Sequence, residues 1–465
     1  MRLSQTKVYL HRVMNPNIKR YIVAEFFSGC GGFSHGFWRT GRFQVVFGND
    51  IKEFALKTFE RNHTHDGRRP LTLKKDIRLV SDNELVQMFE KEGIGEIDCI
   101  LGGPPCQGFS QMRRSEARRD SKIVRFGGYN KLDNDPRNDL VLRFLEAVAV
   151  LNPKVVVIEN VPQFLSHYHD GKKGGIAQQV EYVFNELGYE MVCNVLNAAD
   201  YGIPQLRQRA VMIASRIGKI ALPIPSHADV TSLNGHGRKE WVTVADAISD
   251  LPPNPPLHEA SDSIPRNYLD IPLSGYARSM RTSEEFPFNH ITRHYQDRII
   301  KIIEHMREGE TWDESSARMQ KRFDAILSKS ISNGETRRRA LKRLESEGEI
   351  ISAFYKRYYW SAYTRLAWNR PALTITANAN FLGSGRFTHP NANRGITMRE
   401  AARLQSFDDA FTFYTSDKNG KETENIGVGL DMIGEAVPPL LAKSIAMAVV
   451  SHLDNNKGSR NEFSN

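Results

Sequence analysis

Short apolar runs alternate with longer amphipathic stretches through the first half of the chain. Four of these runs have the composition of buried strands, and each is followed by glycine or polar residues: 21–27, 44–47, 97–101 and 154–158. Strands that alternate with helices favour a parallel sheet with crossover helices. Open α/β sheets bind ligands just beyond the carboxyl ends of their strands. We therefore expect the polar residues that follow these runs to form a functional site.

The pattern changes after Ser215. Residues 221–275 are rich in proline, and 297–349 are predicted to be helical and strongly basic. Strand and helix character returns at 371–377 and 435–450. The chain is therefore predicted to hold a core in 1–250, an inserted domain in 251–365, a return to the core in 366–453 and a disordered tail in 454–465.

Composition narrows the function classes. A length of 465 residues suffices for one large core and a smaller unit, and the net charge of +9 favours a polyanionic partner without requiring one. We find no run of about 18 apolar residues and no secretion signal, so we expect no membrane span and a cytoplasmic protein. The four cysteines form no C-x-x-C pair, which argues against a disulfide scaffold or a metal site.

A glycine-rich turn, Phe27-Ser-Gly-Cys-Gly-Gly-Phe33, follows the first predicted strand. Its glycines allow a ligand to approach the backbone closely, although such a turn is more often only a tight turn. Ser34 replaces the third glycine of a dinucleotide fingerprint. Asp50, after the second strand, is suited to accept hydrogen bonds from ribose hydroxyls, and Asp76 is suited to hold an adenine amino group.

A second loop, Gly102-Gly-Pro-Pro-Cys-Gln-Gly-Phe-Ser110, follows the third predicted strand. Two prolines stiffen the backbone and present Cys106 at the edge of the sheet, where a thiol can act as a nucleophile. The basic stretch 107–131 suits a mobile loop that closes over a phosphate backbone. The alternative is that Cys106 is a small buried apolar residue.

Polar residues also follow the fourth strand and precede a later one. Glu159 lies against an apolar strand end, where a carboxyl group tends to stay protonated and can donate to a ring nitrogen; the alternative is a surface glutamate. Alternation along a strand places Gln205, Arg207 and Arg209 on one face, either for an anionic ligand or for internal salt bridges.

Seven motifs, in this order, resemble the DNA cytosine-C5 methyltransferase family of bacterial and phage restriction-modification systems. The resemblance covers about 20–215 and 366–450. The motifs are Phe-x-Gly-x-Gly-Gly at 27–32, Gly-Pro-Pro-Cys-Gln-Gly-Phe-Ser at 103–110, Glu-Asn-Val at 159–161, Gln-x-Arg-x-Arg at 205–209, Arg-Pro-Ala-Leu-Thr-Ile-Thr at 370–376, Thr-Met-Arg-Glu-Ala-Ala-Arg-Leu-Gln-Ser-Phe at 397–407 and Gly-Glu-Ala-Val-Pro-Pro at 434–439.

The resemblance implies an α/β fold: a Rossmann-like, S-adenosylmethionine-dependent methyltransferase core with a smaller inserted target-recognition domain. It implies methyl transfer from S-adenosyl-L-methionine to carbon 5 of a flipped-out cytosine in a specific double-stranded DNA sequence, through a covalent Cys106 adduct. We expect a monomer near the nucleoid, with a companion restriction endonuclease.

The resemblance also assigns residues. Cys106 is the expected nucleophile, Glu159 the group that engages N3 and the exocyclic amine, Arg209 the partner of the carbonyl oxygen, and Arg207 an organiser of the loop and phosphate. The expected cofactor contacts are Phe27, Gly29, Cys30, Gly31, Asp50, Ile51, Asp76, Ile77, Pro105, Leu140, Glu435 and Ala436. The expected DNA contacts are Gln107, Ser110, Arg113, Arg114, Asn160 and Gln205.

One departure and three alternatives accompany this interpretation. The family usually has asparagine where this chain has Glu435, and a carboxylate there is expected to weaken cofactor binding. The alternatives are an RNA cytosine-C5 methyltransferase, a catalytically weakened DNA-binding homologue and a nicotinamide-dependent oxidoreductase, the last disfavoured by the glycine spacing. The aromatic and basic stretch 354–365 is predicted to line a DNA cleft or to form a buried strand pair, and Arg338 and Arg339 to contact phosphates.

Overall fold

The structure is a computed structural model that describes residues 19–65, 67–105, 138–166, 168–169, 172–231, 237–257, 266–281, 286–331, 335–416, 420 and 422–456. The chain divides into two compact units. We call residues 1–203, 207–240 and 436–465 the sheet unit, and residues 204–206 and 241–435 the helical unit.

A seven-stranded sheet forms the centre of the sheet unit. Its strands are β1 (Tyr21–Phe26), β2 (Phe43–Asn49), β3 (Leu71–Leu73), β4 (Cys99–Gly102), β5 (Val155–Asn160), β8 (Glu190–Asn197) and β10 (Gln208–Ser215). The order is β3-β2-β1-β4-β5-β10-β8, and the pairs from β3 to β5 are parallel, whereas β10 runs antiparallel to both of its neighbours. Short strand pairs lie elsewhere: β6 (Tyr168–His169) with β7 (Lys172–Lys173), and β11 (His227–Ala228) with β12 (Lys239–Glu240).

The register brings the carboxyl ends of the parallel strands to one edge. Phe26 pairs with Asn49 on one side and with Gly102 on the other, and Gly102 pairs with Ile158. The strand order reverses between β1 and β4, which makes this point the topological switch point of the sheet. Ligand sites of open α/β sheets lie in the crevice at this position.

Helices cover both faces of the sheet. They are α1 (Gly32–Trp38), α2 (Glu53–His63), α3 (Asp82–Lys91), α4 (Asn138–Leu151), α5 (Gly175–Glu186) and, from the end of the chain, α13 (Pro439–Asn455). One core layer joins Val23, Leu101 and Val157 to the apolar side of α13, and the other joins Phe26, Ile100 and Ile158 to α4 and α5. Burial on both faces explains why these strands are almost continuously apolar.

The helical unit contains α6 (Val244–Ile248), α7 (Gly275–Met280), α8 (Asp297–Glu304), α9 (Trp312–Ile331), α10 (Arg337–Ser346), α11 (Met398–Leu404) and α12 (Ile426–Glu435). β9 (Gln205–Leu206) and β13 (Ala372–Leu373) form a short parallel pair. A capping box of Thr397 and Glu400 begins α11, as expected from the Thr-x-x-Glu spacing.

The predicted parallel strands and the helical character of 297–349 are confirmed. The stretch 354–365 does not form the predicted strand pair. It begins within a 3₁₀ turn at Ser352–Tyr355 and continues in further turns. Helix α13 continues to Asn455, beyond the predicted start of the tail at 454. The predicted boundaries of the inserted domain stay a prediction, since compactness alone does not assign a function to a unit.

The stretch Ile426–Asn455, which includes α12 and α13, contains an 18-residue window apolar enough to cross a membrane, with a mean hydropathy of 1.5. However, 61% of that window is buried, and burial of this kind is also found for core helices.

Candidate active site

The glycine-rich turn closes over the end of β1. The Ser28 N–H donates to the carbonyl of Asn49 at 2.8 Å, and the Gly29 N–H donates to Oδ2 of Asp50 at 2.9 Å. Phe27 has a φ of 55°, which is strained for a residue with a side chain. Strain of this kind is maintained where the surrounding structure enforces it, often at ligand-binding turns.

The same turn leaves polar and apolar groups ready for a ligand. Among the described residues, Ser28 Oγ is buried and has no hydrogen-bond partner. A Cβ added to Gly29 would meet nothing within 4 Å, and Ile51 is 67% exposed although it is large and apolar. An unused hydroxyl, open space and an exposed aliphatic side chain fit a ligand that has both polar groups and an apolar ring.

The other predicted cofactor contacts divide into two groups. Asp50 and Asp76 lie at the carboxyl edge, and Arg78 hydrogen-bonds Asp76 at 2.6 Å and lowers the pKa of that carboxyl. Cys30, Ile77 and Leu140 are buried, and Ile77 and Leu140 belong to the core beside Phe26. Contacts from these three residues would therefore come mainly from their backbone or from the shape of the core.

Glu159 and Arg209 form an ion pair, with Nε of Arg209 2.7 Å from Oε1 of Glu159. Both side chains are mostly buried, and the pair bridges β5 and β10, where Val211 is the register partner of Glu159. The sequence pattern indicated no protein partner for Glu159, and the structure places the guanidinium group of Arg209 against it. The pair leaves a donor and an acceptor side by side at the edge of the sheet.

Asn160 connects the end of β5 to the loop after β4. Its Nδ2 donates to the carbonyl of Pro104 at 3.2 Å, while its Oδ1 accepts from the N–H of Val161 at 2.9 Å. This anchors the proline loop two residues before Cys106. Cys106 itself, Gln107, Ser110, Arg113 and Arg114 lie outside the described residues, and Pro105 is half-buried.

The continuous strand expected through Gln205, Arg207 and Arg209 is not formed. The strand is interrupted at Arg207, so that Gln205 belongs to β9 and Arg209 to β10. In the helical unit, Gln205 is fully buried and donates to the carbonyl of Leu404 and to Oε1 of Gln405. In the sheet unit, Arg207 is 2% exposed and donates to the carbonyl of Ala436 at 3.1 Å.

A buried residue lies where the first predicted strand meets the turn, and sequence reasoning missed it. Glu25 is 3% exposed, accepts from the Ser34 N–H at 3.1 Å, and burial raises its pKa from 4.5 to about 8. The signal was available, because a glutamate in the otherwise apolar run 21–27 needs a partner when it is buried.

The residues predicted to distinguish this chain lie in the helical unit. Glu435 is the exposed last residue of α12, where the helix dipole disfavours a carboxylate. Arg338 and Arg339 are exposed on α10, whereas Arg343 is paired with Glu335 and Glu347. Arg365, from the aromatic and basic stretch, is buried and donates to backbone carbonyls, among them that of Met306.

Residues 21–451 match the family model of C-5 cytosine-specific DNA methylases. A type II methyltransferase of Xanthomonas oryzae is 31% identical over 445 residues, covering 93% of this chain and 85% of that protein. A type II methyltransferase of Desulfomicrobium norvegicum is 28% identical over 440 residues, covering 93% and 89%.

Among solved structures, a prophage-encoded E. coli protein described as a DNA modification methyltransferase superposes with a TM-score of 0.62. The two chains are 22% identical, and the superposition covers 93% of this chain and 99% of that one. This likeness shows the fold. The matched family is one of S-adenosylmethionine-dependent methyltransferases that act on DNA. The chain belongs to the C-5 cytosine-specific DNA methylase family, whose reaction is methyl transfer to carbon 5 of cytosine.

Proposed function

We propose that this enzyme methylates a flipped-out cytosine through a covalent adduct with Cys106, with Glu159 and Arg209 as the residues that bind the base. The Glu159–Arg209 ion pair carries this proposal. The pair occupies the carboxyl edge of the sheet, and Asn160, the next residue of β5, holds the loop that leads to Cys106. A nucleophile and the groups that neutralise the charge it creates must act on one base.

The chemistry requires these groups in different roles. The Cys106 thiolate adds to carbon 6 of cytosine, which makes carbon 5 nucleophilic and places negative charge on the ring. A proton shared between Glu159 and N3 and a hydrogen bond from the exocyclic amine to the same carboxyl group hold the ring, while Arg209 donates to the carbonyl oxygen, so that charge is drawn off as it develops. In the free enzyme each partner keeps the other in place, and the base must replace that mutual contact.

The glycine turn and its neighbours are proposed to hold S-adenosylmethionine. When bound, this cofactor supplies the electrophilic methyl group. Asp50 would accept from ribose hydroxyls, Ile51 would cover the apolar ring, and Ser28 Oγ has no hydrogen-bond partner among the described residues. Once carbon 5 has taken the methyl group, leaving S-adenosylhomocysteine, its proton passes to water and the electron pair of that C–H bond expels Cys106 as the thiolate.

The remaining proposals concern partners and setting. Exposed arginines on α10, Arg338 and Arg339, support a role in phosphate contact, because such charges release counterions from DNA. The type II relatives favour a companion restriction endonuclease. We propose a cytoplasmic enzyme, associated with the nucleoid, that acts as a monomer, since one flipped base requires one active site.

The test is transfer of a labelled methyl group from S-adenosylmethionine to unmethylated genomic DNA, with RNA in parallel. We expect label in DNA, and none when Cys106 is replaced by alanine, while the Cys106→Ala protein still binds DNA. Bisulfite sequencing of the product then identifies the methylated sites. Methyl transfer that survives Cys106→Ala would rule out the covalent mechanism, and label confined to RNA would rule out DNA as the substrate.

A further inference from the structure

A buried histidine, which the mechanism above does not use, packs against the glycine turn. His63 is the last residue of α2 and is 2% exposed. Its Nδ1 lies 2.8 Å from the carbonyl of Phe59, and its Nε2 lies 3.2 Å from Oγ of Ser34. Ser34 is in the first turn of α1, directly after the glycine turn, so the ring joins α2 to α1.

The direction of these hydrogen bonds follows from their partners. A carbonyl oxygen only accepts, so Nδ1 carries the proton and donates to Phe59. Burial lowers the pKa of His63 well below its usual 6.5, and the nearby His35 and His65 act in the same direction. The ring is therefore neutral, and Nε2 is an acceptor for the hydroxyl of Ser34.

Ser34 also connects the histidine to Glu25. The N–H of Ser34 donates to Oε2 of Glu25 at 3.1 Å. Burial raises the pKa of Glu25 from 4.5 to about 8. Hydrogen bonds therefore join Glu25 to the backbone of Ser34, the hydroxyl of Ser34 to His63, and His63 to the carbonyl of Phe59.

Gly31 is in direct contact with this chain. A Cβ added there would lie 2.6 Å from Cε1 of His63 and 2.8 Å from Cδ2 of Phe59, and Gly31 has a φ of 90°. Its carbonyl accepts from Ser34 Oγ at 3.2 Å, so the one hydroxyl proton of Ser34 is shared between Gly31 and Nε2 of His63. The turn is thus in contact with the ring of His63 on one side and with the hydroxyl of Ser34 on the other.

We propose that His63 and Ser34 are positioning residues, which hold the glycine turn in the shape that binds the cofactor. They act through the backbone at Gly31 and do not touch the reacting atoms. This inference rests on the proposed cofactor site. It also explains why serine is suited to the position at which a dinucleotide-binding turn has its third glycine, since glycine has no hydroxyl to donate to His63.

The experiment measures binding of S-adenosylhomocysteine by isothermal titration calorimetry to the full-length wild type, His63→Phe, Ser34→Ala and the double variant. Phenylalanine keeps the ring and loses both hydrogen bonds. We expect each single variant to bind about 3- to 10-fold more weakly, the range of one hydrogen bond. We expect the double variant to bind no more weakly than His63→Phe, because both substitutions break the same link.

The matched control is His452→Phe. His452, on α13, is within 2.8 Å of Ser215 Oγ, and Ser215 pairs with Val155 at the opposite edge of the sheet. This variant also loses a histidine–serine bond in the sheet unit, and we expect its binding to equal that of the wild type. In methyl transfer, His63→Phe should raise KM for S-adenosylmethionine and leave kcat within about twofold of wild type.

Two results would overturn the inference while leaving the proposed function intact. The first is wild-type affinity in His63→Phe and Ser34→Ala. The second is an additive loss in the double variant, which would show that Ser34 acts on Gly31 without His63. Failure of the wild type to bind S-adenosylhomocysteine would overturn the proposed function itself, and the inference with it.

Discussion

Two regions of this protein bury polar and charged groups, and they differ in how completely those groups are hydrogen-bonded. In the helical unit, α11 contains Arg399, Glu400 and Arg403, each at most 1% exposed. Arg394 forms two hydrogen bonds of 2.7 Å with Glu400, and Arg403 bonds both Asp409 and Asp250. Each charge on this helix has partners within the unit.

At the carboxyl edge of the sheet, the hydrogen bonding of the polar groups is less complete than on α11. Ser28 Oγ is buried without a partner among the described residues, Ile51 is exposed, and Phe27 keeps a positive φ. Glu159 and Arg209 are paired, yet each retains 12–14% exposure of its side chain. Both regions carry motifs that resemble the family, so the motifs alone do not separate a structural cluster from a site. What separates the structural cluster from the site is how completely the buried polar groups are hydrogen-bonded.

The largest expected effect is on the structural cluster. Replacing Arg403 with methionine leaves Asp250 buried without its cation and leaves Asp409 with only the more distant Arg399, at 3.6 Å, and we expect a loss of about 3–5 kcal/mol in the free energy of unfolding. Urea denaturation measures this loss. Arg343→Met is the control, because its ion pair with Glu335 is exposed, and little change is expected. Equal stability of Arg403→Met and wild type would show that the cluster is not structural.

Substitution in the site should reduce activity strongly and stability only slightly. Glu159→Gln keeps the size of the side chain but removes its charge, so we expect the single-turnover rate of methyl transfer to fall by about 10²- to 10⁴-fold. The free energy of unfolding should change by only about 1 kcal/mol. Rapid-quench assays and urea denaturation of the same preparation measure both quantities. An unchanged rate, accompanied by a loss of stability as large as that of Arg403→Met, would reverse the comparison.

The smallest effect depends on pH and concerns Glu25. Because burial raises its pKa to about 8, the folded state retains a proton that the unfolded chain releases near 4.5. The stability that the neutral carboxyl group provides is therefore complete below pH 4.5 and is lost as the pH rises towards 8. Glu25→Gln imitates the protonated form and should unfold like the wild type at pH 4.5.

At pH 9, Glu25→Gln should be the more stable protein, because the wild type must then bury a charged carboxylate. Thermal unfolding at a series of pH values measures the difference. A gap that stays constant from pH 4.5 to pH 9 would show that Glu25 titrates normally in the fold.

The sequence by itself determined the strands, the family and the chemical type of the site residues. Strands buried on both faces must be apolar, and polar residues directly after them can only lie at the sheet edge. This reasoning placed Asp50 and Glu159 at the edge where the structure has them.

Only the tertiary structure decided which polar groups belong together. Local alternation put Gln205, Arg207 and Arg209 on one continuous strand, but the strand is interrupted at Arg207, and each of the three side chains bonds a different segment distant in the sequence. The link between Glu25, Ser34 and His63 also joins three elements. Periodicity reports which way a side chain points, whereas a hydrogen bond depends on the distance between two atoms, and folding alone determines that distance.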